Sequence, residues 1–340
     1  MKKHLNIPVF IPHIGCPNAC VFCNQRKISG RTGFHVDRVR EELDAAFSTV
    51  DGTIPAQIAY FGGSFTGIER QDMIRLLDIA GEYIDAGKCE SVRISTRPDY
   101  IDREILDILR AYRVETVELG IQSTDDRVLL ASKRGHTAAD SFRAALLLKE
   151  YGFEFIGQMM AGLPAATEES ERKTAHDIAD MGADGARIYP AVVFDDTALA
   201  DMMKKGEYEP LTAETSALRA ANILSVFIER EVPVIRIGLQ SGETLISGEG
   251  VLAGGYHAAV GELAYSLYFR SILEKILTGT DFKGKTLCVA VHPSDISKMI
   301  GQKGANREYF IKNYGLSGFK VLPDGNMKKN TVRMILTNDK

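Results

Sequence analysis

Short apolar runs alternate with longer amphipathic segments between residues 6 and 240. The apolar runs are nearly continuous, which is typical of strands in a parallel sheet that is covered by helices. The predicted strands lie near residues 6–11, 57–61, 91–95, 115–119, 154–159, 185–189 and 233–238. The predicted helices include residues 37–49, 69–86, 102–112, 139–151 and 169–181. This repeated unit predicts an α/β fold, a partial (β/α)6-type TIM barrel, in which the chemistry lies at the carboxyl ends of the strands.

The pattern changes after residue 240. Residues 241–284 predict a loop followed by a long helix, Glu262–Leu277, and we expect these two to cover the barrel. Residues 285–340 predict a small α+β unit with the order strand, helix, turn, helix, strand, strand. The chain is therefore expected to have three parts: a barrel at residues 1–240, a covering loop and helix at 241–284, and the small C-terminal unit at 285–340.

The charges are unevenly distributed along a chain of otherwise ordinary composition, which has 340 residues, 45% of them apolar, and a net charge of −4. From Lys283 to the C-terminus there are eleven Lys and Arg residues against four acids, a balance of +7. The first 282 residues therefore carry −11. This uneven distribution of charge favours a C-terminal part that binds nucleic acid. The alternative is that the basic residues there are simply exposed to solvent.

The N-terminal segment is a poor export or membrane signal. Pro8 and Pro12 interrupt the apolar run that follows Lys2 and Lys3, so the run is better explained as a buried strand. No apolar stretch reaches the ~18 residues that a membrane span requires. We expect a cytoplasmic protein with no membrane association, in a compartment that keeps thiols reduced.

Three cysteines, Cys16, Cys20 and Cys23, stand at C-x3-C-x2-C spacing within eight residues. A disulfide is disfavoured because three closely spaced thiols cannot all pair. Zinc, with His13 as a fourth ligand, is an alternative, although no second pair of ligands follows. Three thiolates from one loop favour an iron–sulfur cluster, and a cubane cluster then keeps one iron without a protein ligand.

Six further segments accompany the cysteines. They are Asn6–Ile14 as the first strand, the glycine-rich Ala59–Gly67, Glu118–Ser123, Lys133–His136, Gln158–Pro164 and Arg187–Pro190. In this order they resemble the radical S-adenosylmethionine (SAM) enzymes over about residues 5–240, and especially the catalytic subunit of Elongator and its bacterial relatives. The resemblance implies a 4Fe–4S cluster on the three cysteines and SAM bound to the open iron. One electron then cleaves SAM to methionine and a 5′-deoxyadenosyl radical, which removes a hydrogen atom from the substrate.

The resemblance also assigns residues to the cofactor. The implied SAM contacts are Gly62, Gly63, Ser64, Ser95, Gln122, Arg134 and Gln158. Among them, Gln122 matches a glutamine that reaches the ribose, and Arg134 matches an arginine that binds the carboxylate, a pairing for which the guanidinium fork is well suited. Each has an ordinary structural alternative, such as a tight turn at the two glycines or a solvated charge at Arg134.

Candidate catalytic residues are fewer. Tyr189 and Arg236 stand at the ends of the last predicted strands, and either is expected to face the substrate or to belong to the core. His257 lies in the loop before the long helix, where it is expected either to approach the substrate at the barrel mouth, together with Glu262, or to cap the helix.

Gly301, Gln302, Lys303 and Gly304 form a G-x-x-G between the two short helices of the C-terminal unit. With the preceding strand and the basic balance, this arrangement resembles a KH RNA-binding module, which implies that these four residues clamp an RNA backbone. An ordinary turn between helices is the alternative.

We therefore predict a radical SAM enzyme that modifies an RNA, tRNA or rRNA, and takes its electron from a flavodoxin-like or ferredoxin-like donor. About sixty residues follow the long helix, too few for the acetyltransferase fold of Elongator relatives, so acetyl transfer does not follow from the resemblance of the barrel. Two other classes stay open. One is a radical SAM oxidoreductase that acts on a small metabolite or tetrapyrrole, and the other is a non-catalytic RNA-binding protein with an iron–sulfur cluster.

Overall fold

The computed structural model describes residues 4–12, 14–16, 20–25, 33–239, 248, 250–279 and 282–335. The strands are β1 (Leu5–Ile11), β2 (Ala56–Gly62), β3 (Ser91–Thr96), β4 (Val114–Gln122), β5 (Glu154–Ala161), β6 (Gly185–Pro190), β7 (Val192–Phe194), β8 (Val234–Ile237), β9 (Val251–Gly254), β10 (Thr286–Val291), β11 (Gly318–Pro323) and β12 (Arg333–Ile335). The α-helices are α1 (Val39–Phe47), α2 (Arg70–Asp85), α3 (Arg103–Ala111), α4 (Asp126–Ala131), α5 (Ala138–Glu150), α6 (Glu168–Asp180), α7 (Ala198–Lys204), α8 (Ala213–Glu229), α9 (Val260–Leu277), α10 (Ile296–Ile300) and α11 (Ala305–Tyr314). Short 3-10 turns lie at Val36–Arg38, Phe65–Gly67, Pro98–Tyr100, Pro293–Asp295 and Gln302–Gly304.

Seven strands form one parallel sheet in the order β1-β2-β3-β4-β5-β6-β8. The sheet curls into an open half-barrel with β1 and β8 at its two edges. Its central strands are buried on both faces, and β4 exposes only one of its nine residues. This burial explains the nearly continuous apolar runs in the sequence. The predicted α/β partial barrel is confirmed, and all seven of its strands were predicted.

Side-chain caps determine where several of the outer helices begin. Asp102 accepts a hydrogen bond from the Ile105 amide at the start of α3. Thr137 and Thr167 begin α5 and α6 with capping boxes, in which the threonine and the third residue of the helix bond each other's amides. A cap of this kind stabilises a helix by about 1 kcal/mol, so the local sequence sets these boundaries.

Helix α9 joins the half-barrel to the C-terminal unit. It packs against α8 and β8 and also contacts α10 and α11. Phe269, Leu273 and Leu277 of this helix are buried in the main apolar core, which continues from Ile7 in β1 to Phe319 in β11. The predicted division at residue 285 thus falls between elements that share one core. Among the described helices, none combines the length and the apolar character needed to cross a bilayer.

The C-terminal unit has a three-stranded sheet in the order β11-β10-β12. Strand β10 is parallel to β11 and antiparallel to β12. The order of elements is the predicted one, strand, helix, turn, helix, strand, strand. The last strand ends at Ile335, and residues 336–340 lie outside the described part of the chain.

A second, two-stranded sheet was not predicted. Strand β7 pairs with β9 in antiparallel fashion, with Val192 opposite Gly254. Next to it, Val193 packs with Val21 and with Leu199 of α7 in a small apolar cluster. This cluster attaches the cysteine segment to the far end of the half-barrel. The predicted loop over the barrel mouth is in part strand β9, and residues 240–247 and 249 lie outside the described part.

Candidate active site

The cysteine segment follows β1 at the carboxyl edge of the half-barrel. The Val21 amide donates to the Ser132 carbonyl at 3.1 Å, and the Val21 carbonyl accepts from the Leu199 amide at 2.8 Å. The Cys23 amide donates to the Cys20 carbonyl at 3.0 Å, which closes a tight turn. All three cysteines are free thiols. The segment is therefore held from both sides while its thiols stay available.

Two glycines allow this segment to approach the end of β2. A Cβ at Gly63 would lie 2.0 Å from the Ile14 carbonyl oxygen, and a Cβ at Gly62 would lie 2.7 Å from that of Ile11. The amides of Gly63 and Ser64 donate to those same carbonyls at 2.7 and 3.0 Å. Both glycines therefore allow the protein's own loop to pack against the end of β2.

A cavity of about 180 Å³ opens between the cysteines and the ends of β2 to β5. Its lining includes all three cysteines and six of the seven predicted cofactor residues, namely Gly62, Gly63, Ser95, Gln122, Arg134 and Gln158. The volume is more than ten times the roughly 15 Å³ that one water needs. The fold thus brings residues from positions 16 to 158 around one space.

Gln122 and Arg134 present unpaired polar atoms in this region. Gln122 ends β4 with φ +67, a conformation uncommon outside glycine. Arg134 donates from Nη2 to the Gly120 carbonyl at 2.7 Å and from Nη1 to Cys20 Sγ at 3.5 Å. Within the described residues, Gln122 Oε1 and Arg134 Nε are buried and have no partner. Since unpaired buried polar atoms are costly, they indicate a polar ligand.

Burial raises the pKa of two of the thiols. It raises the pKa of Cys16, and it raises the pKa of Cys23 to about 12, while the nearby Arg134 guanidinium lowers both in part. Dry thiols of this kind ionise when a metal centre supplies positive charge. The soft donor set, the unpaired polar atoms and the size of the cavity together fit an iron–sulfur cluster with a polar cofactor beside it.

The zinc alternative has less support in the structure. No three His, Cys, Asp or Glu side chains in the described ranges converge closely enough to hold a single metal ion. His13, the suggested fourth ligand, lies outside those ranges. The thiols instead surround a space for a group of several atoms.

A second cavity, of about 240 Å³, adjoins the first. The two share Cys23, Gln25, Gly62, Ser95 and Gln158 in their walls. The remaining walls of the second cavity include Phe10, Phe61 and Leu239 as apolar groups and Glu118, Arg187, Tyr189 and Arg236 as polar groups. Tyr189 and Arg236 thus line the space next to the cysteines, and their catalytic role stays a prediction.

Glu118 lies at the centre of a buried charge network in the wall of the second cavity. Its Oε1 accepts from Arg93 Nη1 at 2.8 Å and from Arg187 Nη2 at 2.9 Å. Its Oε2 accepts from Gln158 Nε2 at 2.7 Å. Because the Gln158 amide nitrogen must face this carboxylate, its carbonyl oxygen is directed away from Glu118.

The sequence did not single out Glu118 or Arg187 as site residues, although both lie in segments that supported the family resemblance. A usable signal existed, because each is a charged residue inside a strand predicted to be buried on both faces. The sequence could not show that Glu118 on β4 and Arg187 on β6 reach each other across β5.

Two predicted residues lie outside both cavity linings. Ser64 is buried and bonds the Thr96 hydroxyl at 2.8 Å, so it supports the end of β3. His257 accepts a hydrogen bond from the Ala259 amide at its Nδ1, at 3.0 Å. This contact lies just ahead of α9, whose N-terminus has no side-chain cap, and a catalytic role for His257 stays a prediction.

The G-x-x-G turn is anchored at one end and exposed in the middle. A Cβ at Gly301 would lie 2.8 Å from Ser266 Oγ of α9. Asn306 is buried and donates to the Ser266 carbonyl at 2.8 Å. Gln302 and Lys303 are exposed. A firmly held turn thus presents an amide and a lysine to solvent, and its RNA contact stays a prediction.

Comparisons with known proteins agree with this geometry. One family model, described as the radical SAM superfamily, matches residues 10–178, and a second, described as the radical SAM C-terminal domain, matches residues 183–267. The chain is 31% identical to a tRNA uridine(34) acetyltransferase of Methanocaldococcus jannaschii, over 52% of this chain and 32% of that protein. It is 29% identical to Elongator complex protein 3 of Saccharomyces cerevisiae, over 46% of this chain and 30% of that protein.

A solved structure extends the likeness in fold. The archaeal Elp3 of Methanocaldococcus infernus, with an N-terminal deletion, matches with a TM-score of 0.64 and 23% identity, over 80% of this chain and 64% of that chain. The alignments with the two curated relatives span only about a third of the length of those proteins.

Proposed function

The chain belongs to the radical SAM superfamily, and on that premise we propose that it modifies an RNA, either tRNA or rRNA. Members of this family use a 4Fe–4S cluster and SAM. The observation that carries the proposal is the adjacency of the two cavities. The thiols and unpaired polar atoms of the first fit the cofactors, and the second, with Cys23 in the shared wall, has room for a substrate group.

The residues of the first cavity have distinct tasks. Cys16, Cys20 and Cys23 would hold the cluster. Arg134 has a free Nε–H to donate to the carboxylate of SAM, and Gln122 has a free oxygen to accept from a hydroxyl. Bound together and given one electron by an external donor, the two cofactors would supply radical hydrogen-atom abstraction, with methionine as the other product of SAM cleavage.

The second cavity gives the chain control over what is attacked. Phe10, Phe61 and Leu239 form apolar walls that exclude water and accept a planar group. Glu118 holds the Gln158 amide so that an acceptor oxygen faces away from the carboxylate. Pre-positioned groups of this kind place one hydrogen of the substrate next to the reactive centre, which is the contribution a protein makes to cofactor chemistry.

Two observations support RNA as the substrate. The similar archaeal protein is named for uridine 34 of tRNA. The C-terminal part carries +7, and its turn exposes Lys303 beside Gln302. A single loop of this type clamps about four nucleotides of backbone, so it would assist binding while the base enters the second cavity.

The first experiment tests the cofactor chemistry. Anaerobically reconstituted protein is incubated with SAM and dithionite, and 5′-deoxyadenosine is measured with and without cellular RNA. Cys20→Ala should abolish the product, whereas Cys89→Ala, which removes another buried thiol, should retain it. Product formation that is undiminished in Cys20→Ala would contradict the assignment of the cluster.

The second experiment tests the RNA. The protein is crosslinked to RNA in its native cells by ultraviolet light, and the bound RNA is sequenced. Lys303→Asp should lose the enriched species, and Lys320→Asp, a matched exposed lysine on β11, should keep it. If no RNA is enriched, and RNA does not change 5′-deoxyadenosine formation, the substrate is a small metabolite and the RNA proposal fails.

The proposal includes a partner and a location. Each cleavage of SAM consumes one electron, so a flavodoxin-like or ferredoxin-like reductase protein should support turnover in place of dithionite. A cytoplasmic location would give the enzyme its RNA and keep its thiols reduced. Fractionation of native cells tests the location.

A further inference from the structure

Arg236 is a cation in the wall of the second cavity, and the described residues offer it no countercharge. It is half-buried on β8, and its side chain lines the cavity near Tyr189. No hydrogen bond or ion pair is found for it within the described residues, in contrast to its neighbours. A partly buried guanidinium without an acidic partner is costly, because its lost hydration is not replaced.

The register of the sheet increases this cost. Arg187 on β6 is directly opposite Arg236 on β8, and both side chains line the same cavity. Like charges side by side on one face of a sheet repel each other. Arg187 is compensated by Glu118 at 2.9 Å, and Arg93 by Glu118 and by Glu154 at 3.7 Å. The carboxylates are thereby committed to the two inner arginines, and Arg236 keeps an excess positive charge.

Tyr189 offers a second donor at the same place. Its hydroxyl oxygen accepts from Arg187 Nη1 at 3.3 Å, so its proton is available for another acceptor. Arg187 Nε is also buried without a partner among the described residues. Acceptors are scarce here and donors are in excess, which is the chemistry of an anion site and not of a cation site.

We propose that Arg236 and Tyr189 form an oxyanion-binding subsite in the second cavity, and that the substrate or co-substrate presents a phosphate or a carboxylate to it. The guanidinium forms charge-assisted hydrogen bonds to either group. The subsite rests on the proposed function, since it describes what occupies the cavity next to the cofactors. The oxyanion has two sources to be distinguished, an RNA phosphate beside the modified nucleoside and the carboxylate of a small acid.

The neighbouring apolar walls describe the rest of the ligand. The rings of Phe10 and Phe61 lie 6.2 Å apart between centroids, and the Arg187 guanidinium lies 5.6 Å from the Phe61 ring centroid. A planar group that stacks on these walls would extend its oxyanion toward Arg236. Orientation would then be set at two points, by stacking and by the ion pair.

The test measures anion-dependent stability, which a purely structural arginine would not change. Anaerobically reconstituted protein with SAM bound is heated in sodium phosphate, sodium acetate or sodium chloride at equal ionic strength, and unfolding is followed by circular dichroism. Saturating SAM keeps the cofactor's own carboxylate in its site in every sample. Wild type should gain thermal stability in phosphate or acetate relative to chloride. Arg236→Gln should lose that gain.

Matched variants separate this subsite from other basic groups. Arg172→Gln removes an exposed arginine on α6, and Lys303→Asp removes the lysine of the turn; both should keep the wild-type gain. Tyr189→Phe should reduce it. If Arg236→Gln gains as much as wild type, the subsite does not exist.

Binding assays identify the source of the oxyanion. The same protein is titrated with uridine, uridine 5′-monophosphate and acetate. A phosphate source predicts that the monophosphate binds about tenfold or more tightly than uridine in wild type and equally in Arg236→Gln. A carboxylate source predicts that only acetate distinguishes the two proteins. These assays do not measure modification of RNA. The oxyanion subsite can therefore be confirmed even if the RNA proposal fails, and the RNA proposal can be confirmed even if the subsite is refuted.

Discussion

Glu118 forms ion pairs with two buried arginines. Its replacement by Gln measures how much the negative charge contributes to the free energy of unfolding. Its side chain is 1% exposed, and its two oxygens accept three side-chain hydrogen bonds, from Arg93, Arg187 and Gln158. Glu118→Gln preserves the shape and one acceptor oxygen. It removes the negative charge and introduces an amide nitrogen.

The magnitude follows from the three bonds. Hydrogen bonds to a charged group contribute about 1.5–3 kcal/mol, and neutral ones about 0.5–1.5 kcal/mol. The two bonds from arginine should therefore each lose about 1–1.5 kcal/mol. The new amide nitrogen would face the Gln158 nitrogen, and turning either amide costs roughly 1 kcal/mol more. The total of about 3–4 kcal/mol agrees with the roughly 3–5 kcal/mol lost when a buried ion pair is broken from one side.

The assay is urea unfolding at neutral pH, followed by far-ultraviolet circular dichroism. The matched control is Glu171→Gln, because Glu171 is 4% exposed and also accepts three hydrogen bonds, two from Arg219 and one from the Gly162 amide. Two charge-assisted bonds from an arginine are weakened there as well, so the same reasoning predicts a similar loss of about 3–4 kcal/mol for the control. A double variant, Glu118→Gln with Arg187→Met, should be less destabilised than the sum of its single variants.

A different result would refute this reasoning. If Glu118→Gln lost less than about 1 kcal/mol while Glu171→Gln lost about 3 kcal/mol, the two arginines would not depend on Glu118. Additive effects in the double variant would lead to the same conclusion for Arg187. In either case, the position of Gln158 would need another explanation.

Three further predictions concern the first cavity and the residues near it. Gly63→Ala should lower the iron content of reconstituted protein, since the added Cβ would lie 2.0 Å from the Ile14 carbonyl oxygen. The control is Gly81→Ala in helix α2, where the added Cβ would have no neighbour within 4 Å. This control should bind iron normally and gain up to about 1 kcal/mol of helix stability. Arg134→Lys should weaken SAM binding about tenfold or more in equilibrium dialysis, because a lysine cannot replace the guanidinium fork. Burial, with Arg134 nearby, lowers the pKa of His136 to about 3, so the neutral form belongs to the folded state. The free energy of unfolding should therefore fall as pH drops from about 6.5 toward 3, by up to about 1.4 kcal/mol per pH unit. In urea titrations, His136→Gln should make this dependence on pH less steep. An unchanged dependence in the variant would contradict the role given to His136.

The strands of the half-barrel and the cysteine motif could be predicted because both are local. A buried parallel strand is an apolar run of five or six residues, and the run at 57–61 differs by one residue at each end from β2. Helix starts such as Thr137 are likewise encoded by two side chains three residues apart. The C-x3-C-x2-C spacing lies within eight residues, so no fold is needed to recognise it.

Contacts between distant segments could not be predicted in this way. Strand β7 is only three residues long and pairs with residues about sixty positions later. Ser64 belongs to the glycine-rich motif, yet its side chain faces Thr96 rather than the cofactor cavity. A motif identifies a segment, whereas the direction of each side chain depends on the backbone that packs against it.

The sequence by itself determined the fold class, the three-cysteine motif and the excess of positive charge near the C-terminus, because periodicity, spacing and charge are properties of neighbouring residues. Only the tertiary structure decided which polar groups share a cavity. The curled sheet places Arg187 beside Arg236, and Glu118 forms an ion pair with Arg187. The physical reason is that burial makes each charge depend on its nearest countercharge, and that partner is selected by the packing of strands far apart in the chain.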